Sequence, residues 1–243
     1  MKEGIRALTT SGWSAGGDPA RPWRCCATTW TGSSPGRPSG WAPIVGRVTD
    51  SPGSRTARAA DKRRRLAAAA AEVLHEQGVE RTTLADIAQA AGVPVGNVYY
   101  YFKTKDDLVR AALSEQSSHL DGLTRRLDEL PDPLERLKGL VAAWVAQRDT
   151  AARRGCPTGT LAVELDKRPD GTLDAEAAAV IRRLLDWVGL QFRALDLPDP
   201  DGLALTLVAG YQGMSLLANA LREPEVMTRE GARLTDWLDS LTA

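Results

Sequence analysis

Three of the four tyrosines in this chain of 243 residues are consecutive, Tyr99, Tyr100 and Tyr101, and they stand between Asn97 and two lysines, Lys103 and Lys105. A carboxamide, phenols and ammonium groups packed this closely are hydrogen-bond donors rather than nucleophiles or metal ligands. They suit an anion or a polar edge: phosphate oxygens accept from phenol and ammonium groups, and an amide can pair with adenine. Successive helical side chains stand about 100° apart, so the three tyrosines cannot all be buried. At least one phenol should face solvent or a phosphate.

Other chemistry is poorly provided for. Cys25, Cys26 and Cys156 show no CxxC spacing and the only histidines are His75 and His119. Neither a disulfide framework nor a zinc site is supported, and no metal or cofactor is expected. With no Gly-rich phosphate loop, ligand cluster or nucleophile beside a base, no catalytic residue is expected and the chain reads as a non-enzyme. Arg153 and Arg154 precede Cys156 and would favour a reactive thiolate; a buried apolar thiol is the plainer reading. The two histidines read as ordinary surface or helix-packing residues.

The elements that must position these groups are helices. No run of alternating β-branched residues appears, so the fold class is all-α. Residues 57–77 place Leu66, Ala70, Val73, Leu74 and Gln77 on one stripe before Gly78 stops the helix. A second helix opens at Thr83, whose hydroxyl caps the amide of Asp86 while Asp86 reciprocates. Leu84, Ile87, Ala88 and Ala91 form its inner face, and Gly92 ends it. After Pro94, tolerated in a first helical turn, a short third helix runs to Tyr101. Thr104 then caps a long helix closed by Pro131, with Asp106 and Asp107 in its positively polarised first turn. Residues 82–108, TTLADIAQAAGVPVGNVYYYFKTKDDL, therefore read as helix, tight turn, helix.

Further amphipathic segments cover about 133–150 and Pro157–Lys167. In 174–195 the series Ile181, Leu185, Val188, Phe192, Leu195 steps by fours and threes, as does Leu203, Leu207, Gly210, Met214, Leu217, Leu221 in 202–221. Such seams pack against other helices. A last helix, about 225–242, contributes Leu234, Trp237, Leu238 and Leu241.

The formal net charge is zero, yet the signs separate: +3 over residues 1–54, +2 over 55–107 and −5 over 108–243. Arg55, Arg58, Lys62, Arg63, Arg64 and Arg65 face only Asp61, a stretch that suits an anionic partner or is simply a solvated helix start. Residues 1–54 hold six of the fourteen prolines and nine of the twenty-two glycines without a period, and are expected to be a disordered extension. Trp13, Trp23, Trp30 and Trp41 are unusual there, which a true start codon further downstream would explain. No window of eighteen residues is uncharged and apolar throughout, no signal peptide is visible, and a cytoplasmic location is expected.

The stretch 82–108 resembles the DNA-binding signature of the TetR family of bacterial transcriptional regulators, closely over about 50 residues, and the later helices are compatible with that family's ligand-binding and dimerisation domain. Beyond the extension 1–54 marked by its composition, the resemblance implies a helix-turn-helix domain 55–107 and an effector-binding, dimerising domain 108–243. It places Thr83 and Lys105 at phosphates, Val95, Gly96 and Asn97 at base edges, and Tyr100 and Tyr101 on backbone or bases. Asn97 as a plain exposed amide stays open, and Tyr99 is expected to pack against the first helix. Pro94 departs from the family's usual small polar cap. Residues 155–165, GCPTGTLAVEL, resemble a loop and helix of the branch that includes regulators of lincomycin resistance. Trp144, Leu161, Trp187, Tyr211 and Met214 are candidates to line an effector pocket or else belong to the core. The function implied is a homodimeric repressor, released from a palindromic operator by a small apolar effector. A constitutive DNA-binding regulator without a ligand is the alternative.

Overall fold

The chain turns so often into helix because its caps and stops fall at the offsets that helix ends require. The computed structural model describes residues 52–168 and 172–242, with side chains from residue 57 onward. The described residues form ten helices and no strand: α1 Pro52–Gln77, α2 Leu84–Ala91, α3 Val95–Tyr101, α4 Lys105–Asp128, α5 Pro133–Ala146, α6 Arg148–Arg154, α7 Pro157–Asp166, α8 Leu173–Ala194, α9 Pro200–Leu221 and α10 Glu225–Ser240. The all-α expectation holds. Pro52–Ser54 belong to α1, because proline is accepted in a first turn; the rest of the expected extension lies outside the described residues.

Both anticipated capping boxes form. Thr83 Oγ1 accepts from the Asp86 amide at 3.2 Å and Asp86 Oδ2 accepts from the Thr83 amide at 2.8 Å. Thr104 and Asp107 repeat the pattern at 3.1 and 3.0 Å. Hydrogen bonds from the Thr83 hydroxyl and amide hold the Asp86 carboxyl below its usual range, and the Thr104 amide and hydroxyl do the same for Asp107. The single helix expected over about 133–150 breaks at Gln147, where α6 turns away and buries Ala151 and Ala152.

Two hydrophobic clusters result. The first joins Leu66, Ala70 and Leu74 of α1 to Ile87, Val98, Phe102, Leu108 and Ala112, and also takes in Leu161 and Leu165 of α7 and Leu173 and Ala177 of α8. The second gathers Leu137 and Leu140 of α5 with Val188, Phe192, Leu207, Met214, Met227 and Leu238. α4 supplies its first half to one cluster and Leu127 to the other, so the boundary expected at 107/108 falls within a continuous helix.

The α8 and α9 seams meet largely within the chain: Val188, Phe192, Leu207 and Met214 are buried. The uncovered part of α9 carries Leu205 and Leu216 together with the last two seam positions, Leu217 and Leu221, all between 50% and 67% exposed. α9 is long and apolar enough to cross a membrane by length and composition, yet α6, α8 and α10 pack against it.

Candidate nucleic-acid interface and effector cavity

The turn between α2 and α3 is built by Gly92, Val93 and Pro94. Gly92 takes the left-handed conformation (φ 63°), which costs a side-chain-bearing residue but not glycine. This lets the amides of Gly92 and Val93 bond back to the carbonyls of Gln89 and Ala88 at 3.1 and 3.0 Å. Arg65 Nη2 donates to the Ala91 carbonyl at 2.6 Å, tying α1 to the same helix end. Arg63 lies 5.9 Å from the Phe102 ring centroid, a cation over an aromatic face. Of the six basic residues before Leu66, Arg65 thus braces the turn and Arg63 covers the ring just past α3, roles the charge pattern alone does not reveal. Pro94 gives α3 no side-chain cap; its carbonyl accepts from the Asn97 amide at 2.9 Å.

α3 anchors itself through Val98, fully buried, and Phe102 just beyond its end. Its outward face carries Val95, Gly96, Tyr99 and Tyr100, and a Cβ added at Gly96 would meet nothing within 4 Å. The tyrosines differ in exposure, and the packing expected of Tyr99 is not what the structure has. Tyr99, expected against the first helix, is 52% exposed, whereas Tyr101, expected at DNA, is half-buried and packs on the first cluster. The reason is helical: Tyr101 lies three residues from buried Val98 and shares its side, while Tyr99 is turned about 100° away. Tyr100 is 72% exposed as expected, and its ring meets Tyr101 edge to face with centroids 5.0 Å apart.

The other DNA candidates are placed as follows. Thr83 is exposed but its hydroxyl serves the capping box, donating to Asp86 at 2.6 Å. Asn97 is half-buried. Lys105 Nζ donates to the Glu80 carbonyl at 3.2 Å, leaving two of its three donors for an outside acceptor. Lys103 Nζ donates to the Tyr99 carbonyl at 3.0 Å from an exposed position.

In the larger half, a cavity of about 100 Å³ lies among α4, α5, α7, α8 and α9. Trp144 and Tyr211 line it, with their rings stacked at 4.3 Å and 15°. The other three pocket candidates lie elsewhere. Leu161 is buried in the first cluster, Met214 is sealed within the second, and Trp187 donates its indole N–H to Asp128 at 3.0 Å. In their place come Gln116, Thr158, Gln212 and Cys156, which carry no helical period that would mark them in sequence, and Ile181, the first residue of the α8 seam. Cys156 is buried and caps α7: its Sγ accepts from the Gly159 amide at 3.3 Å and from Gln212 at 3.6 Å. Burial, together with the Cys156 contact, pushes the Tyr211 phenol well above its ordinary pKa, so it stays protonated.

α7 joins the two regions. Its first turn, Pro157 and Thr158, walls the cavity, and Leu161 and Leu165 enter the first cluster. Glu164 Oε2 accepts from the Val79 amide at 2.6 Å, just past the end of α1. Around this seam Arg154 pairs with Glu72 and Glu76 at 3.1 and 3.3 Å, and Arg168 with Asp106 at 2.9 Å. His75 Nε2 donates to the Gly155 carbonyl at 3.0 Å; burial, assisted by the Arg154 charge, lowers its pKa.

A buried helix pair presenting a short exposed third helix, followed by a helical domain with its own cavity, defines a helix-turn-helix DNA-binding transcriptional regulator. Known proteins agree. Residues 66–112 match the bacterial regulatory proteins of the tetR family, and residues 133–233 match the tetracyclin repressor-like C-terminal domain. The chain belongs to the TetR family. It is 30% identical over 170 residues to an uncharacterized HTH-type transcriptional regulator of Mycobacterium tuberculosis, an alignment covering 66% of this chain and 86% of that one. Over 85 residues it is 36% identical to the HTH-type transcriptional repressor KstR2 of Mycolicibacterium smegmatis, covering 35% and 42% respectively. The crystal structure of the regulatory protein TetR from Rhodobacter sphaeroides superposes with a TM-score of 0.63 at 27% identity, over 71% of this chain and 96% of that one.

Proposed function

We propose that this regulator is a cytoplasmic homodimeric repressor that leaves a palindromic operator when a small, largely apolar effector fills the cavity behind Trp144 and Tyr211. The carrying observation is that one helix, α7, both walls the cavity and enters the core that seats α3. The name of the KstR2 relative supports the repressor sign. In this reading α3 enters the major groove and Val95, Gly96 and Asn97 meet base edges. Tyr100, joined by Tyr99 from the same exposed face, reaches backbone or bases, while Thr83 and Lys105 sit at phosphates. Residues 55–107 act as the reading head and 108–243 as the sensor. The exposed α9 leucines pair with those of a second copy, holding two reading helices about 34 Å apart.

The test is an operator titration with a fragment of the protein's own promoter at several salt concentrations. Lys105→Ala should weaken every sequence about equally and reduce the salt slope by about 1, whereas Asn97→Ala should mainly change sequence preference. Equal loss of discrimination in both variants refutes the division of roles, and absence of any affinity at low ionic strength refutes the reading itself.

A further inference from the structure

The walls of the cavity are polar in places but carry no charged residue. Leu120, Val180, Ile181 and Leu184 are apolar, the stacked Trp144 and Tyr211 are aromatic, and the rest are two carboxamides, a hydroxyl, a proline and a thiol. Arg183 of α8 and Asp121 of α4, next in sequence to the lining residues Leu184 and Leu120, are exposed and pair with each other. A carboxylate or ammonium brought here would lose water without meeting a counter-charge. Trp144 and Tyr211 turn faces toward each other, which leaves no multi-ring cage for a cation.

Size narrows the class further. A dry cavity of about 150 Å³ accepts benzene; one of about 100 Å³ that is partly open to solvent takes a single ring, with any substituent reaching outward. The polar handle is supplied by the glutamines. Gln116 accepts from the Thr158 hydroxyl at 3.1 Å and donates to the Pro157 carbonyl at 3.3 Å; Gln212 donates to Cys156. Each carboxamide keeps a second N–H, and both are suited to a carbonyl oxygen. Gly159 makes room for the Gln212 amide, whose Oε1 stands 2.6 Å from where a Cβ would lie.

Resting on the regulator reading above, we infer that this cavity binds an uncharged single-ring molecule bearing a carbonyl or carboxamide and discriminates against its carboxylate and ammonium counterparts.

Calorimetric titration of the full chain with benzamide, benzoate and benzylammonium tests this. Benzamide should bind saturably, and the two ions at least roughly tenfold more weakly, the order expected for unpaired charge in a half-closed apolar site. Gln212→Glu should invert the preference, weakening benzamide and strengthening benzylammonium relative to the unaltered protein; a damaged fold cannot produce that gain. Equal or tighter binding of either ion, failure of all three to saturate, or an unchanged order in Gln212→Glu overturns the inference. Operator titration on the same sample separates it from the regulator reading. Release by benzoate or benzylammonium with benzamide inert removes the neutral-ligand class and leaves the regulator standing. Saturable benzamide binding without operator affinity keeps the ligand class and removes the regulator.

Discussion

The contact between Glu164 and the end of α1 can be measured as a coupling. Gly78 has φ +81°, and a Cβ placed on it would lie 2.7 Å from Glu164 Oε1 and 2.9 Å from Oε2. Gly78→Ala therefore does two things. It forces alanine into a left-handed conformation, at about 1–2 kcal/mol, and it pushes the carboxylate off the Val79 amide that it accepts from at 2.6 Å. A hydrogen bond to a charged acceptor contributes about 1.5–3 kcal/mol; because Glu164 is only half-buried, about 1–2 kcal/mol is the reasonable share here. The single substitution should then cost about 2–4 kcal/mol by urea unfolding. In a Glu164→Ala background, where that bond is already gone and the space is free, the same change should cost only the conformational part, about 1–2 kcal/mol. The double-mutant cycle should show about 1–2 kcal/mol of interaction. Additivity within about 0.5 kcal/mol would refute the claim that α7 is fastened to α1 at this point.

Two further outcomes are expected. Leu216→Glu, at a position 67% exposed on α9, should leave helix content intact but convert the protein to a monomer with lost operator affinity, while Val163→Glu, 60% exposed on α7, should leave the assembly unchanged; a dimeric Leu216→Glu protein by sedimentation removes α9 from the interface. His75 should make stability fall on acidification below about pH 6.5, because burial lowers its pKa in the folded chain, so the unfolded chain binds the proton first and stability rises with pH through that window. Urea midpoints between about pH 7.5 and about pH 5 should therefore drop less in His75→Gln than in the unaltered protein, and identical pH profiles would rule the residue out.

What the sequence made legible was local. Thr83 with Asp86, Thr104 with Asp107, Gly78 and Gly92 each announce a helix end through contacts spanning four residues or fewer, and all four stand where their chemistry puts them. The tyrosine order is set by helical geometry as well: with Val98 buried, Tyr101 falls on its side of α3 and Tyr99 turns outward. The break at Gln147 carries no glycine or proline, and only the burial of Ala151 and Ala152 explains it. The cavity was the least legible part. Trp144, Tyr211 and Met214 all face inward, but whether an inward residue borders a void or fills one depends on how α5, α7 and α9 cross, and no periodicity encodes that. Gln116 and Thr158 come from segments far apart in sequence and are joined by a hydrogen bond of 3.1 Å.

The proposed switch places an energetic demand on the assembly. Turning a regulator from mostly bound to mostly released requires a preference of about 5.5 kcal/mol for the released state. A single ring entering a cavity of about 100 Å³ gains about as much as burying one aromatic side chain, about 1.5–3 kcal/mol, and its preference between two states cannot exceed that gain. One ligand is therefore too little. Two copies of the chain, each with its own cavity and each bound to the same operator, double the available preference to about 3–6 kcal/mol, which reaches the requirement only at its upper end. A small effector thus makes dimerisation part of the sensing and not only of operator spacing. It also requires α7 to pass on nearly all of what the cavity gains. Ten residues of helix, about 15 Å long, fixed at one end by Leu161, Leu165 and the Glu164–Val79 bond, suit that task because a short rigid element absorbs little of the displacement applied to its other end.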